Sequence, residues 1–201
     1  FPVLADDYKE TKCAGVAFAY TTNMEEMWVS LLEKAFAKYY GSYAALQNGF
    51  PHFALQDMTG AKAEALSIMQ ESTGSKKALF WTKLQTFKQN RYLMGAGSVS
   101  SDSADKEILD SGLIFGATYV ILDVRDVNNH KLLQLRNPPG DHGEWQGDWG
   151  DGSDCWTRYM KRKLDYSDDE DDGCFWMSYD DFCQSFRTLF VGYYYDPDKW
   201  Q

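Results

Sequence analysis

Apolar positions recur at helical spacing along Met27, Trp28, Leu31, Leu32, Ala35, Phe36 and Tyr39, forming one stripe. Thr21, Thr22 and Asn23 offer N-cap oxygens ahead of it. Glu25 and Glu26 place negative charge near the positive end of the helix dipole. Gly41 supplies the left-handed stop that a helix end favours. Before this helix, Val16-Ala17-Phe18-Ala19-Tyr20 reads as a strand. After it, residues 49–60 read as a loop. Residues 61–71 and 76–89 read as two helices joined by Ser72-Thr73-Gly74-Ser75. Residues 92–97 read as a strand, and the polar stretch 98–105 as a loop.

The pattern then changes period. Residues 118–125 are β-rich, Asn128 and Asn129 supply turn residues, and residues 131–136 form a returning strand. Pro138 ends it, because proline cannot donate to a central ladder. A loop rich in Trp, Gly and Asp spans residues 141–156. A basic stretch (158–163) and an acidic run (168–172) follow. A strand at 174–177, a short helix at 179–186 and an aromatic strand through Tyr195 complete the chain. The pattern predicts an α+β fold, with helices packed on a twisted, mostly antiparallel sheet.

A length of 201 residues suits one domain, expected here to be a single unit over 1–201. Such a chain removes about 70% of its unfolded surface from water, enough for a core without staples. Seven Trp, thirteen Tyr and twelve Phe argue for dense packing and against disorder. The net charge of −10 argues against nucleic acid, whose phosphates call for Lys and Arg. Cys13, Cys155, Cys174 and Cys183 form no metal-ligand or CxxC spacing, which predicts reduced thiols and a cytoplasmic setting. No leader is evident, and no apolar run nears the ~18 residues of a membrane span. The opening Phe1-Pro2-Val3, without Met, suggests an excised fragment.

Several segments, in order, resemble one family. Residues 28–38 with Gly41-Ser42-Tyr43 are similar to its "W-x-x-L-L-E-K-A-Y-A-K…G-S-Y". Asp57-Met58-Thr59-Gly60 is similar to "D-L-T-G", and Leu135-Arg136-Asn137-Pro138 with Gly140 to "L-R-N-P-W-G". Glu144-Trp145, Gly147, Trp149 and Asp151 resemble "E-W-x-G-x-W-S-D". Asp172-Gly173, Phe175-Trp176-Met177-Ser178 and Asp181-Phe182 resemble "D-G-E-F-W-M-S-x-x-D-F". The family is the calpains. The resemblance implies a papain-like cysteine endopeptidase core whose first subdomain carries the nucleophilic Cys and whose second carries the His and Asn. On this reading the chain is the second subdomain, with the first absent.

Thiolate catalysis needs an imidazole to take the sulfur's proton and a third group to orient that ring. The family's "G-H-A-Y" reads Gly116-Ala117-Thr118-Tyr119 here, so Ala117 stands at the histidine position. A methyl group accepts no proton. Asn137 matches the triad asparagine, and Pro139 replaces the tryptophan that shields it. His130 lies seven residues before Asn137, about 23 Å of extended chain. His52 and His142 fall in loops, and the four cysteines read as structural thiols.

The resemblance also implies a calcium site. Glu144, Asp151 and Asp172 match its carboxylates, and Glu170 would offer a backbone carbonyl. Cys174 replaces the last carboxylate, and a thiol is a poor ligand for a hard cation, so a weakened site is expected.

These readings predict a catalytically inactive pseudoprotease module that binds a protein or peptide partner, the Cys-bearing first subdomain among the candidates. The competing reading is half of an active calcium-dependent endopeptidase whose histidine was mutated and whose Cys lies upstream. A structural calcium-binding module ranks third.

Overall fold

The computed structural model describes residues 19, 26–46, 49–99, 111–138, 144–166 and 173–194. The chain sorts into two compact units, Phe1–Phe50 and Pro51–Gln201.

In the first unit, α1 (Trp28–Tyr40) follows the predicted stripe and ends at Gly41, whose φ of 100° suits glycine. Ser30 donates its hydroxyl to the Ala19 carbonyl at 2.8 Å, and Glu33 accepts the Ala19 amide at 3.0 Å. A single 3-10 turn, Ala44–Leu46, follows. The expected N-caps at residues 21–23 lie outside the described residues, as does the strand at 16–20 apart from Ala19.

The described residues of the second unit form six antiparallel strands: β1 (Ala63–Ser67), β2 (Leu93–Ser98), β3 (Thr118–Val127), β4 (His130–Arg136), β5 (Cys174–Ser178) and β6 (Phe186–Gly192). Their spatial order is β1-β6-β2-β3-β4-β5, and every pairing is antiparallel. The α+β class therefore holds. Among the described residues, five helices accompany the sheet: α2 (Pro51–Thr59), α3 (Ile68–Glu71), α4 (Lys76–Gln89), α5 (Arg158–Leu164) and α6 (Tyr179–Ser185).

Two expectations are corrected. Residues 49–60 are no loop: Pro51 opens α2 at the position where its missing N–H costs nothing, and Gly60, with φ +67°, follows the end. Residues 61–71 are not one helix, because Ala63–Ser67 pair as a strand with β6. Ala, Glu and Leu favour helices in isolation, and the ladder with β6 overrides that preference.

Each face of the sheet buries its own cluster. On one, Phe80, Trp81, Leu84 and Phe87 of α4 and Phe182 of α6 pack against Tyr119, Ile121, Leu133, Leu135, Phe175, Met177 and Leu189. On the other, Leu132 and Trp176 pack with Trp149, Met160 and Leu164. A bulge between Ile121 and Asp123 shifts the β3 alternation, so Val124 rather than Asp123 returns to the core. Lys88 donates to the Leu122 carbonyl and pairs with Asp123 at 3.3 Å, meeting the polar demand that the bulge creates. At the hairpin, Asn128 and Asn129 take φ of 53° and 65°, the left-handed pair that a type I′ turn requires.

Candidate functional site

Ala117 lies immediately before β3 and Asn137 immediately after β4. The β3–β4 register pairs Val120 with Arg136. One further step along it brings Tyr119 opposite Asn137 and leaves Ala117 diagonal to Asn137. Tyr119 and Leu135 belong to one core cluster, and side chains two residues away share their face. A diagonal pair stands about 7–8 Å apart, a gap that an imidazole would span and a methyl leaves open.

The backbone around Ala117 is held firmly. Its N–H donates to Ser98 Oγ at 3.0 Å, and its carbonyl accepts the Ser98 N–H at 2.9 Å. Ser98 donates its hydroxyl to the Ile114 carbonyl at 2.6 Å, while Tyr119 Oη accepts the Ile114 N–H at 2.8 Å. Gly116 precedes with φ +63° and open space where a Cβ would stand. At Asn137 the amide N–H donates to Gly173 O at 2.7 Å, continuing the β4–β5 register, and Oδ1 is buried. The fold thus brings the two expected triad positions onto one face. Ser98, read from sequence as the start of a loop, is the residue that fixes the first of them.

Neither described histidine is in that place. His52 stacks on Phe190, ring centroids 5.8 Å apart and planes nearly parallel, and His130 packs on Trp149 at the far end of the hairpin. His142 and Pro139 lie outside the described residues. Cys155, Cys174 and Cys183 are thiols rather than disulfides. Burial pushes the Cys183 thiol upward, the opposite of what an activated nucleophile needs.

The tryptophan-rich loop explains its own glycines. A Cβ on Gly147 would lie 2.2 Å from the Trp145 ring, and one on Gly150 would lie 2.3 Å from the Trp145 carbonyl. Trp145 Nε1 donates to Asp148 O at 2.9 Å and Trp156 Nε1 to Gly150 O at 3.0 Å. Of the expected calcium ligands, Glu144 and Asp151 lie within this loop, while Glu170 and Asp172 lie outside the described residues. Asp151 Oδ1 accepts the Tyr166 hydroxyl at 3.1 Å, and Glu144 Oε1 is buried. Among the described residues, no three His, Cys, Asp or Glu side chains gather as a metal site would require.

Comparison with known proteins agrees with the residue pattern. The model of the calpain family cysteine proteases matches residues 1–193. The chain is 42% identical to the calpain-type cysteine protease ADL1 of Oryza sativa subsp. japonica over 199 residues, 98% of this chain and 9% of that protein. It is 42% identical to the calpain-type cysteine protease DEK1 of Zea mays, again over 98% of the chain and 9% of the relative. With a calpain of Schistosoma mansoni it shares 36% over 88% of the chain and 23% of that protein. The chain therefore spans about a tenth to a quarter of these relatives' length. Among the described residues no helix is long and apolar enough to cross a membrane. The protein belongs to the calpain family of cysteine proteases.

Proposed function

We propose that this chain is a catalytically silent part of a calpain core, retained as an interaction module. Ala117 on the same sheet face as Asn137, with no imidazole between them among the described residues, carries the reading. General-base catalysis needs an acceptor within hydrogen-bond reach of the reacting proton. His52 and His130 are both occupied elsewhere, on Phe190 and Trp149. The chain is read as the His/Asn-bearing subdomain of a papain-like core, and its partner is a protein or peptide, foremost the Cys-bearing first subdomain. Its thiols suit a cytoplasmic setting.

Calcium binding is proposed as weakened. Asp151 already accepts a hydrogen bond from Tyr166, and position 174 carries a thiol where the family has a carboxylate. The roles of Glu170 and Asp172 in that site rest on the family pattern alone.

The competing reading is an active calcium-dependent endopeptidase with a mutated histidine. Asn137, which matches the family's triad asparagine, favours it, and Pro139 in place of the family's shielding tryptophan opposes it. Peptidase assays on the full-length protein separate the two. Turnover that survives unchanged in the parent with Ala at this position would overturn the silent reading.

A further inference from the structure

Between α2 and the α4–β2 turn, the sheet face opposite the Ala117–Asn137 position is left uncovered. A groove of about 560 Å³ lies there, with Leu93, Gly95, Val120 and Phe190 as floor and Leu55 and Met58 as one wall. Small-molecule sites occupy roughly 300–1,000 Å³. Val120 and Met58 are each 50% exposed and Leu93 is 44% exposed, so the apolar surface is open to solvent. The strand register creates it: Gly95 on β2 lies opposite Val120 on β3 and Phe190 on β6, and glycine adds no side chain to fill the space.

Two features select the occupant. β2 and β3 are inner strands with hydrogen-bonded neighbours on both sides, so the floor offers few free backbone donors or acceptors. A peptide lying there would bury amides without partners, at about 1–3 kcal/mol each, whereas an alkyl chain makes no such demand. The second feature is charge. Lys88 and Arg91 rim the groove at one end. The Lys88 ammonium is taken by the Leu122 carbonyl and the Asp123 carboxylate. Exposed Arg91 makes no ion pair among the described residues. A guanidinium fork suits a carboxylate bidentately.

We infer that this groove binds a free alkyl carboxylate, its chain along Val120 and Leu93 and its head group on Arg91. The test titrates dodecanoate, below its micellar concentration, into the 201-residue chain by calorimetry. Dodecanol and dodecyltrimethylammonium serve as comparison probes. Saturable binding is expected, weakened about tenfold by Arg91→Gln while dodecanol binding stays unchanged. Val120→Glu, at a half-exposed position, should abolish binding of both while circular dichroism stays native. Absence of saturable dodecanoate binding would overturn the inference. So would equal affinity for dodecyltrimethylammonium, or binding seen only to vesicles of anionic phospholipid.

Discussion

Ser98 Oγ holds the Ala117 amide at 3.0 Å while its own proton goes to the Ile114 carbonyl at 2.6 Å. One buried hydroxyl, 7% exposed, thus ties the β3 entrance to the end of β2. Ser98→Ala leaves a partly buried donor and a partly buried acceptor unmet. The expected cost is about 1–3 kcal/mol, read as a lower urea midpoint at unchanged slope. An unaltered midpoint would show that the hydroxyl does not hold this corner.

Gly112 makes a second prediction. Its φ is +83°, and a Cβ built on it would lie 1.9 Å from the Glu144 carbonyl. Backbone, not a flexible side-chain end, stands in the way. Gly112→Ala should therefore cost more than about 1 kcal/mol and disturb Trp145 fluorescence, because the Gln146 N–H to Ser111 O bond at 2.9 Å ties that loop to the same strand of chain. Gly116→Ala, where a Cβ meets nothing within 4 Å, should cost less, as only the φ of +63° opposes it.

Acid should loosen the β3 bulge. Burial is the largest influence on Asp123 and by itself would raise its pKa. The Arg125 hydrogen bond, the Val124 N–H and nearby Lys88 together outweigh burial and hold the carboxyl below the usual range. A lowered folded-state pKa means the stabilisation is fully present above the unfolded value of about 3.9 and is lost as pH falls through the lower folded value. Asp123→Asn should cost about 1–2 kcal/mol at pH 7 and flatten the loss of stability below about pH 4. A variant as acid-sensitive as the parent would place that sensitivity elsewhere.

Calcium should be felt weakly. Titrated against Trp145 and Trp149 fluorescence, the unchanged chain is expected to saturate only above about millimolar calcium, the range of the weakest protein sites. Cys174→Glu, which returns a carboxylate to the family's position, should shift the curve to lower concentration. Micromolar saturation of the parent chain would contradict the weakened site.

The long periodic elements were legible in the residues. The α1 stripe, α4, the Asn128-Asn129 hairpin and β5 follow from spacing and turn chemistry within a single stretch of chain. What hid was settled by distant partners. Ala63–Ser67 carries helix-forming residues yet becomes a strand because β6 lies beside it, and Pro51–Thr59 becomes a helix that packs near β6. Likewise, Ala117 and Asn137 were recognisable as positions, but their common face depends on a register twenty residues apart in sequence. Ser98 carried no signal at all: a lone serine after a strand looks like loop until the fold brings Ala117 against it.

Peptide hydrolysis reports whether a proton acceptor is missing beside Asn137. The chain is mixed with a Cys-bearing first subdomain from an active calpain, calcium and a fluorogenic peptide, beside an Ala117→His variant whose imidazole would face Asn137. Turnover at the blank level is expected for the parent and a measurable gain for the variant. Hydrolysis by the parent at the variant's rate would overturn the silent reading.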